Sequence, residues 1–118
     1  MRRISSGGAF EAKLGYCRAV VAGGFVHVAG TVGQGDDVVA QCADALRIIR
    51  EALEKAGTDL TQVVRVTYML PDRNEFEACW PLLSDTFGAH PPAATMIECR
   101  LIDDKYRIEI EVTALLPA

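Results

Sequence analysis

The sequence lacks the features that metal sites and nucleic-acid surfaces require. Its four cysteines are widely spread with no C-x-x-C pair, and only two histidines could join them in a metal site. Asp and Glu outnumber Lys and Arg by 16 to 12, and only Arg2 and Arg3 are adjacent basic residues. These counts predict reduced, mostly packed thiols, no metal site, and no binding of nucleic acid, which needs clustered positive charge.

Long apolar runs are also missing. No stretch approaches the ~18 consecutive apolar residues of a membrane span, and the first residues lack the apolar segment of a secretion signal. We therefore expect a cytoplasmic protein without membrane contact. With half of its 118 residues apolar, the chain fits a single domain over residues 1–118.

The clearest strand pattern runs from Arg107 to Leu115, where apolar and polar residues alternate. The polar face, which carries Glu109 and Glu111, is either solvated or part of a site. The apolar face must be covered by another element. Its residues are Ile108, Ile110, Val112 and Ala114.

A hairpin is predicted earlier in the chain, with strands over residues 16–21 and 25–31. Gly23 and Gly24 between them tolerate the positive φ angles of a tight turn. Counting outward from a two-residue turn gives one face. Its opposed pairs are Val20 with His27, Arg18 with Ala29, and Tyr16 with Thr31.

The other hairpin face is small or apolar throughout, which makes it the predicted core side. A slip of one residue in the register would exchange the two faces. The predicted core-side residues are Cys17, Ala19, Val21, Val26, Val28 and Gly30.

The remaining pattern predicts two helices and two further strands. A helix over residues 38–56 starts after a cap at Asp36 or Asp37 and ends at Gly57. Strands are expected over residues 63–70 and 94–101. The second helix, over residues 74–87, contains Pro81, which predicts a kink or a helix in two parts.

The resulting order is strand, strand, helix, strand, helix, strand, strand. It indicates a two-layer α+β domain, with a mixed sheet that the helices cover on one face only. A homo-oligomer is the expected way of closing the uncovered face.

Four segments in this order carry a resemblance to a known family: Gly15-Tyr16-Cys17-Arg18-Ala19-Val20, residues 26–31, Pro91 to Glu98, and Ile108 to Glu111. Together they resemble the Rid family, also called YjgF or reactive-intermediate deaminase. The resemblance implies a chorismate-mutase-like two-layer sandwich with a mixed six-stranded sheet covered on one face by two helices. It also implies a homotrimer with small-molecule clefts between its subunits.

The deaminating members of this family hydrolyse imines to 2-oxo acids and ammonia, without a metal or an organic cofactor. Carried over by position, their catalytic glutamate falls on Glu109 and their site tyrosine on Tyr16. Their site serine falls on Ala29, and their carboxylate-binding arginine falls on Ala94. Since a methyl group supplies neither charge nor donors, we expect that this chain is not a standard 2-imino acid deaminase.

Two arginines are candidates for the missing cation, Arg18 and Arg100. The alternative for Arg18 is a salt bridge to Glu109, to Glu111 or to a neighbouring subunit. Thr31 and Thr95 are further candidates for lining the pocket. His27 and Glu111 are predicted to have structural roles.

The sequence therefore leaves two possible functions. The chain is either a cofactor-independent hydrolase of an imine, enamine or related metabolite, with Glu109 placing or activating water, or a non-catalytic trimeric ligand-binding or regulatory protein. Nucleic-acid cleavage, a third reading attached to some relatives, is opposed by the acidic net charge of -4.

Overall fold

A mixed six-stranded sheet forms one layer of the computed structural model, which describes residues 1–118. The strands are β1 (Arg2–Ile4), β2 (Ala19–Ala22), β3 (Phe25–Val32), β4 (Val63–Leu70), β5 (Ala93–Glu98) and β6 (Glu109–Leu115). The helices are α1 (Ala9–Leu14), α2 (Val38–Ala56) and α3 (Trp80–Phe87). Short 3-10 segments cover Leu60–Gln62 and Arg73–Cys79.

The strand order in the sheet is β1-β2-β3-β6-β4-β5. Four neighbouring pairs are antiparallel, and β4 and β5 are parallel because α3 returns the chain to the same end of the sheet. The predicted mixed α+β architecture is therefore confirmed. The N-terminal segment, expected to be irregular or to run along an edge, supplies the edge strand β1 and the additional helix α1.

One hydrophobic cluster of 22 residues lies between the sheet and the helices. The four alternating apolar residues of the last strand pattern, Ile108 to Ala114, are 0 to 3% exposed, which confirms the predicted core face of β6. All four cysteines are free. Cys42 and Cys79 are buried, whereas Cys17 and Cys99 are only half-buried, so the prediction of packed thiols holds for two of them.

The opposite face of the sheet is not covered by α2 or α3 and is called the open face below. Cross-strand pairing places His27 beside Thr113, Thr113 beside Arg65, and Glu111 beside Thr67. These five residues surround a shallow cavity of about 190 Å³. These five polar side chains therefore lie on the part of the sheet that the single chain leaves uncovered.

The first predicted helix is confirmed as α2, with its predicted ends. Asp37 caps it by accepting a hydrogen bond from the Ala40 N–H at 2.8 Å, and Gly57 ends it with a φ of 99°. No helix in the structure has both the length and the apolar character that a membrane crossing needs.

The second predicted helix is divided as expected, and Pro81 explains where. A 3-10 segment runs to Cys79, and α3 begins at Trp80 with Pro81 in its first turn. A proline in the first turn removes an N–H that has no partner within the helix anyway. Pro81 therefore starts α3 and does not kink it.

The predicted hairpin register is confirmed near the turn and wrong at its far end. Val20 pairs with His27 and Ala22 with Phe25, as counted from the glycine turn. A β-bulge between Val28 and Thr31 then shifts the pairing of β3 with β6 by one residue. Thr31 consequently pairs with Ile110 and is 1% exposed, so it does not share the face predicted for it.

The bulge also corrects Gly30, which was predicted on the core side. In the structure, the space that a Gly30 side chain would fill is occupied by the carboxylate of Glu109 on the open face. Two predicted strands were also too long. Strand β2 begins at Ala19, so Tyr16 and Arg18 precede it, and β5 ends at Glu98, so Arg100 follows it.

Candidate functional site

Glu109 lies at the start of β6 on the open face, where its side chain is half-buried. Its Oε2 sits so close over Gly30 that a Cβ there would overlap it. Burial is the main cause that raises the pKa of Glu109, and the negative charge of Glu111 raises it further. The nearby Arg18 guanidinium lowers it. A carboxyl group with a raised pKa is suited to proton transfer near neutral pH.

Arg18 is fixed between two strands just before β2. Its N–H donates to the Ile4 carbonyl at 2.8 Å, and its own carbonyl accepts from the Ala29 N–H at 2.9 Å. Its side chain crosses toward the bulge, where Nη1 donates to Thr31 Oγ1 at 3.0 Å. The guanidinium carbon also lies 5.6 Å from the centre of the Tyr16 ring, a cation–π distance. Arg18 is 8% exposed and is therefore a buried cation.

The hydrogen bonds of this cation are incomplete. Arg18 forms no ion pair with Glu109 or Glu111, although both were predicted as possible partners. Its Nε is fully buried without a hydrogen-bond partner, and its Nη2 makes no hydrogen bond within the chain. Burying a guanidinium away from water costs free energy. This cost is normally offset by a hydrogen-bonding or ionic partner.

Tyr16 and Ala29, both predicted site residues, line a cavity of about 620 Å³. It opens between α1 and the strands β1 to β3, and Arg3, Cys17 and His27 also contribute to its wall. His27, predicted to be packed or at an interface, is exposed in the single chain. The hairpin therefore contributes to a wide pocket that Glu109 does not line.

Glu11 positions this part of the site and was missed at the sequence level. Its buried carboxylate accepts hydrogen bonds from the hydroxyls of Ser5 and Ser6 and from the N–H groups of Ser6 and Gly8, and these bonds lower its pKa. Its carbonyl accepts the Tyr16 N–H at 3.0 Å. The available signal was a glutamate three residues after a small N-cap residue, with a glycine ending the helix.

Ala94, where the family resemblance predicts an arginine, lies elsewhere in the chain. It is on β5, which β4 separates from β6, and its side chain faces α3. There it lines a groove of about 260 Å³ together with Phe76, Trp80 and Met96. No charged residue lines this groove, so nothing in it replaces the missing arginine.

The other two predicted residues are also distant from Glu109. Thr95 accepts a hydrogen bond from Arg65 Nη1 at 3.0 Å. Arg100 lies beyond the end of β5 and lines a separate cavity of about 310 Å³ with Asp103 and Asp104. Within one chain, the structure therefore brings Tyr16, Arg18, Ala29, Thr31 and Glu109 together and leaves Ala94, Thr95 and Arg100 apart.

No group of three or more His, Cys, Asp or Glu residues lies close enough together to hold a metal ion. The chemistry of the site is that of a carboxyl group, a phenol and a guanidinium. These groups can transfer protons, donate hydrogen bonds and bind anions.

Comparison with known proteins gives this arrangement a family context. The family model described as Endoribonuclease L-PSP matches residues 7–116. The 2-iminobutanoate/2-iminopropanoate deaminase of Capra hircus is 31% identical over 98% of this chain and 90% of its own length. A RutC family protein of Pyrococcus horikoshii is 32% identical over 84% of this chain and 85% of its own.

Solved structures agree with the fold. A member of the YjgF/YER057c/UK114 family from Mycobacterium tuberculosis is 41% identical and superposes with a TM-score of 0.93, covering 97% of this chain and 98% of the other. A YjgF family protein from Neisseria meningitidis is 26% identical with a TM-score of 0.85, covering 99% and 95%. The chain therefore belongs to the Endoribonuclease L-PSP family, the family also called YjgF or Rid.

Proposed function

We propose that this chain is a cytoplasmic hydrolase of a small imine, enamine or related reactive metabolite, with Glu109 as its catalytic carboxyl group. The observation that carries the proposal is the environment of Glu109, which is half-buried over Gly30 with a raised pKa, near a buried cation. The goat relative, whose name states an imine deaminase, supports the reaction class.

The proposed reaction follows from the groups present. The Glu109 carboxylate takes a proton from water while the water oxygen bonds to the carbon of the protonated imine, and the C=N π pair moves onto nitrogen to give a neutral carbinolamine. Glu109 then gives that proton to the nitrogen, and its carboxylate takes the hydroxyl proton as the C–N bond breaks and the oxygen becomes a carbonyl. The proton passes from Glu109 to the departing ammonia, which leaves as ammonium. Tyr16 is proposed to line the pocket in which this reaction occurs.

We also propose that the working form is a homotrimer with its small-molecule sites between subunits. Strand β5 is exposed along its whole length, with Met96 57% and Ile97 45% exposed, and an uncovered apolar edge strand calls for a partner. A second copy covering β5 would also bring Ala94 and Thr95 toward the hairpin of its neighbour.

The substrate is proposed to differ from a standard 2-imino acid in how it is held. Losing a charge-assisted pair costs about 1.5 to 3 kcal/mol, or roughly 10- to 150-fold in binding. Since Ala94 lies in an uncharged groove, the substrate either lacks a carboxylate or presents it to another cation.

Ammonia release from imines freshly generated from several amino acids tests the reaction. Wild type should exceed the uncatalysed rate with at least one imine, and Glu109→Ala should lower this excess by about 10²- to 10⁴-fold, as expected for loss of a general base. Equal background rates for both proteins across the whole panel would rule out the hydrolase.

The second candidate function is a non-catalytic trimeric ligand-binding or regulatory protein. It is favoured by the two alanines, Ala29 and Ala94, at positions where the deaminating relatives have a serine and an arginine. A thermal-shift screen of metabolites tests it, because a ligand at 100 times its Kd adds about 2.7 kcal/mol to the free energy of unfolding. Turnover without any ligand-induced shift would count against this role.

A further inference from the structure

We infer that Arg18 is the anion-binding residue of this site and holds the carboxylate of its ligand from the Glu109 side. The inference rests on the proposed function for the reaction that follows binding. The binding of an anion by Arg18 can be measured without turnover. Anion binding is thereby assigned to the hairpin, because Ala94 on β5 lies in a groove without charged residues.

The first support is the unmet hydrogen-bonding capacity of the guanidinium. Arg18 is more than nine-tenths buried, yet its side chain donates a single hydrogen bond within the chain, through Nη1. Nε and Nη2, which together form the planar edge that binds a carboxylate with two parallel bonds, have no partner. A carboxylate would bind Nη2, which is not fully buried, and would satisfy Nε only if the side chains covering that nitrogen moved aside.

The second support is that the side chain is held in place before any ligand arrives. The backbone of Arg18 is bonded to β1 on one side and to Ala29 on the other. Thr31 Oγ1 donates its proton to the Ala29 carbonyl at 2.8 Å, so its lone pairs are directed to Arg18 Nη1. The Tyr16 ring packs on the guanidinium. Such fixing lowers the ordering cost of binding.

The third support is the position of Arg18 relative to the acid. Glu109 Oε2 lies over Gly30, and the residue before Gly30, Ala29, donates its N–H to the Arg18 carbonyl, yet the side chains of Glu109 and Arg18 do not form an ion pair. In a 2-imino or 2-oxo acid, the reacting carbon is bonded directly to the carboxylate carbon. An acid held by Arg18 would therefore present that carbon beside Glu109.

Other cations are less suited to this role. Arg100 lies in a cavity with Asp103 and Asp104, which compete for its charge. Arg65 on the open face already donates to Thr95. Arg3 lines the 620 Å³ cavity but is exposed, so its interaction with an anion is weakened by water.

The test compares binding of 2-oxobutanoate with binding of its uncharged carboxamide by titration calorimetry. Wild type should prefer the acid by about 10- to 150-fold, as expected for one charge-assisted pair. Arg18→Gln should remove this preference while leaving the amide affinity unchanged. Arg50→Gln, which removes the same charge from the exposed face of α2, should keep the wild-type preference.

Circular dichroism shows whether Arg18→Gln is folded. If it is not, Arg18→Lys and Thr31→Val decide, because each keeps a cation at position 18 and alters only how the anion is held. Each should weaken acid binding several-fold without changing amide binding. Wild-type preference in whichever of these variants fold, or no preference in wild type itself, overturns the inference.

Parallel turnover measurements separate the two proposals. Acid preference that depends on Arg18, without ammonia release from any imine, leaves the anion site standing and removes the hydrolase. Ammonia release that depends on Glu109, with the same selectivity in wild type and Arg18→Gln, leaves the hydrolase standing and removes the anion site.

Discussion

At the scale of single residues, the ionised form of Glu109 that the proposed reaction needs is also the form that destabilises the fold. Burial and the charge of Glu111 favour its neutral form, which raises its pKa in the folded chain. A group whose folded pKa exceeds its unfolded pKa stabilises the fold at low pH. That contribution is lost as pH rises through the folded pKa. Ionised Glu109 is therefore tolerated at a cost in stability, which is typical of functional carboxyl groups.

Glu109→Gln should separate these two effects. At pH 8 the variant is expected to unfold at a temperature equal to or above that of wild type, because it has no carboxylate to ionise. The difference should shrink as pH falls toward 4, where wild-type Glu109 is protonated. Calorimetric melting across this range measures the effect. A variant that is less stable at pH 8 than at pH 4, relative to wild type, would contradict it.

Glu111→Gln should shift the pH dependence of the proposed reaction. Removing the neighbouring negative charge lowers the pKa of Glu109, so the rate should begin its rise at lower pH than in wild type. Glu111 is exposed, and its replacement should leave the maximum rate within a few-fold. A pH–rate profile for ammonia release measures this. An unmoved profile would mean that another group titrates.

The contact between Gly30 and Glu109 is testable by a double-mutant cycle. Gly30→Ala should displace the Glu109 carboxylate at a small cost in stability, because its methyl group overlaps Oε2, the far end of a flexible side chain. In a Glu109→Ala background the methyl group has room, so most of this cost should disappear. Urea unfolding of the four proteins gives the coupling. Equal costs in both backgrounds would place the strain elsewhere.

Secondary-structure elements mark the boundary of what the sequence could predict. The strand over residues 63–70 and the helix over residues 38–56 have the predicted ends, because their apolar period and end signals agree. The β-bulge of β3 was not predicted. Gly30, a glycine inside a strand pattern, was the available signal, but the shift in register arises only from pairing with β6. The faces of Gly30 and Thr31 were wrong for this reason.

Dependence on long-range strand pairing also explains why only part of the candidate site could be predicted. Counting from the turn correctly placed Val20 opposite His27 and Arg18 beside Ala29, because local register is fixed by the turn. That Arg18 is buried and bonded to Thr31 depends on the bulge and on β1, which lies outside the predicted hairpin. Polar side chains that meet through a distant strand leave no local pattern.

The cap of α2 gives an element-scale prediction with a matched control. Asp37→Ala should destabilise the chain by about 1 kcal/mol, within a range of roughly 0.5 to 2, because the Ala40 N–H loses its acceptor. Asp36→Ala removes the same charge from a neighbour that makes no capping bond and should cost much less. Chemical unfolding compares them. Equal losses would show that charge, not capping, stabilises this end.

The whole molecule is a sheet with one covered face and one polar, uncovered face, and this shape accounts for the divided site. Residues 16–31 and Glu109 lie on or beside the adjacent strands β2, β3 and β6, while Ala94 and Thr95 lie on the edge strand β5, which β4 separates from β6. The sequence predicted these residues partly through the family resemblance and, for Arg18 and Thr31, by counting from the hairpin turn. Their separation within one chain follows from the strand order, which sequence alone did not give.

If copies of this chain meet through the open face, a charge placed there should disrupt assembly and activity together. Wild type is expected to sediment at three times the 12.8 kDa mass of the chain. Thr67→Glu puts a second carboxylate directly opposite Glu111, and like charges in a cross-strand pair repel. The variant should dissociate at micromolar concentrations and lose ammonia release, whereas Arg50→Glu on the exposed face of α2 should do neither. Sedimentation velocity and the imine assay on the same samples give both readouts. A Thr67→Glu variant that stays trimeric, or a dissociated one that keeps full activity, would show that the site does not depend on this face.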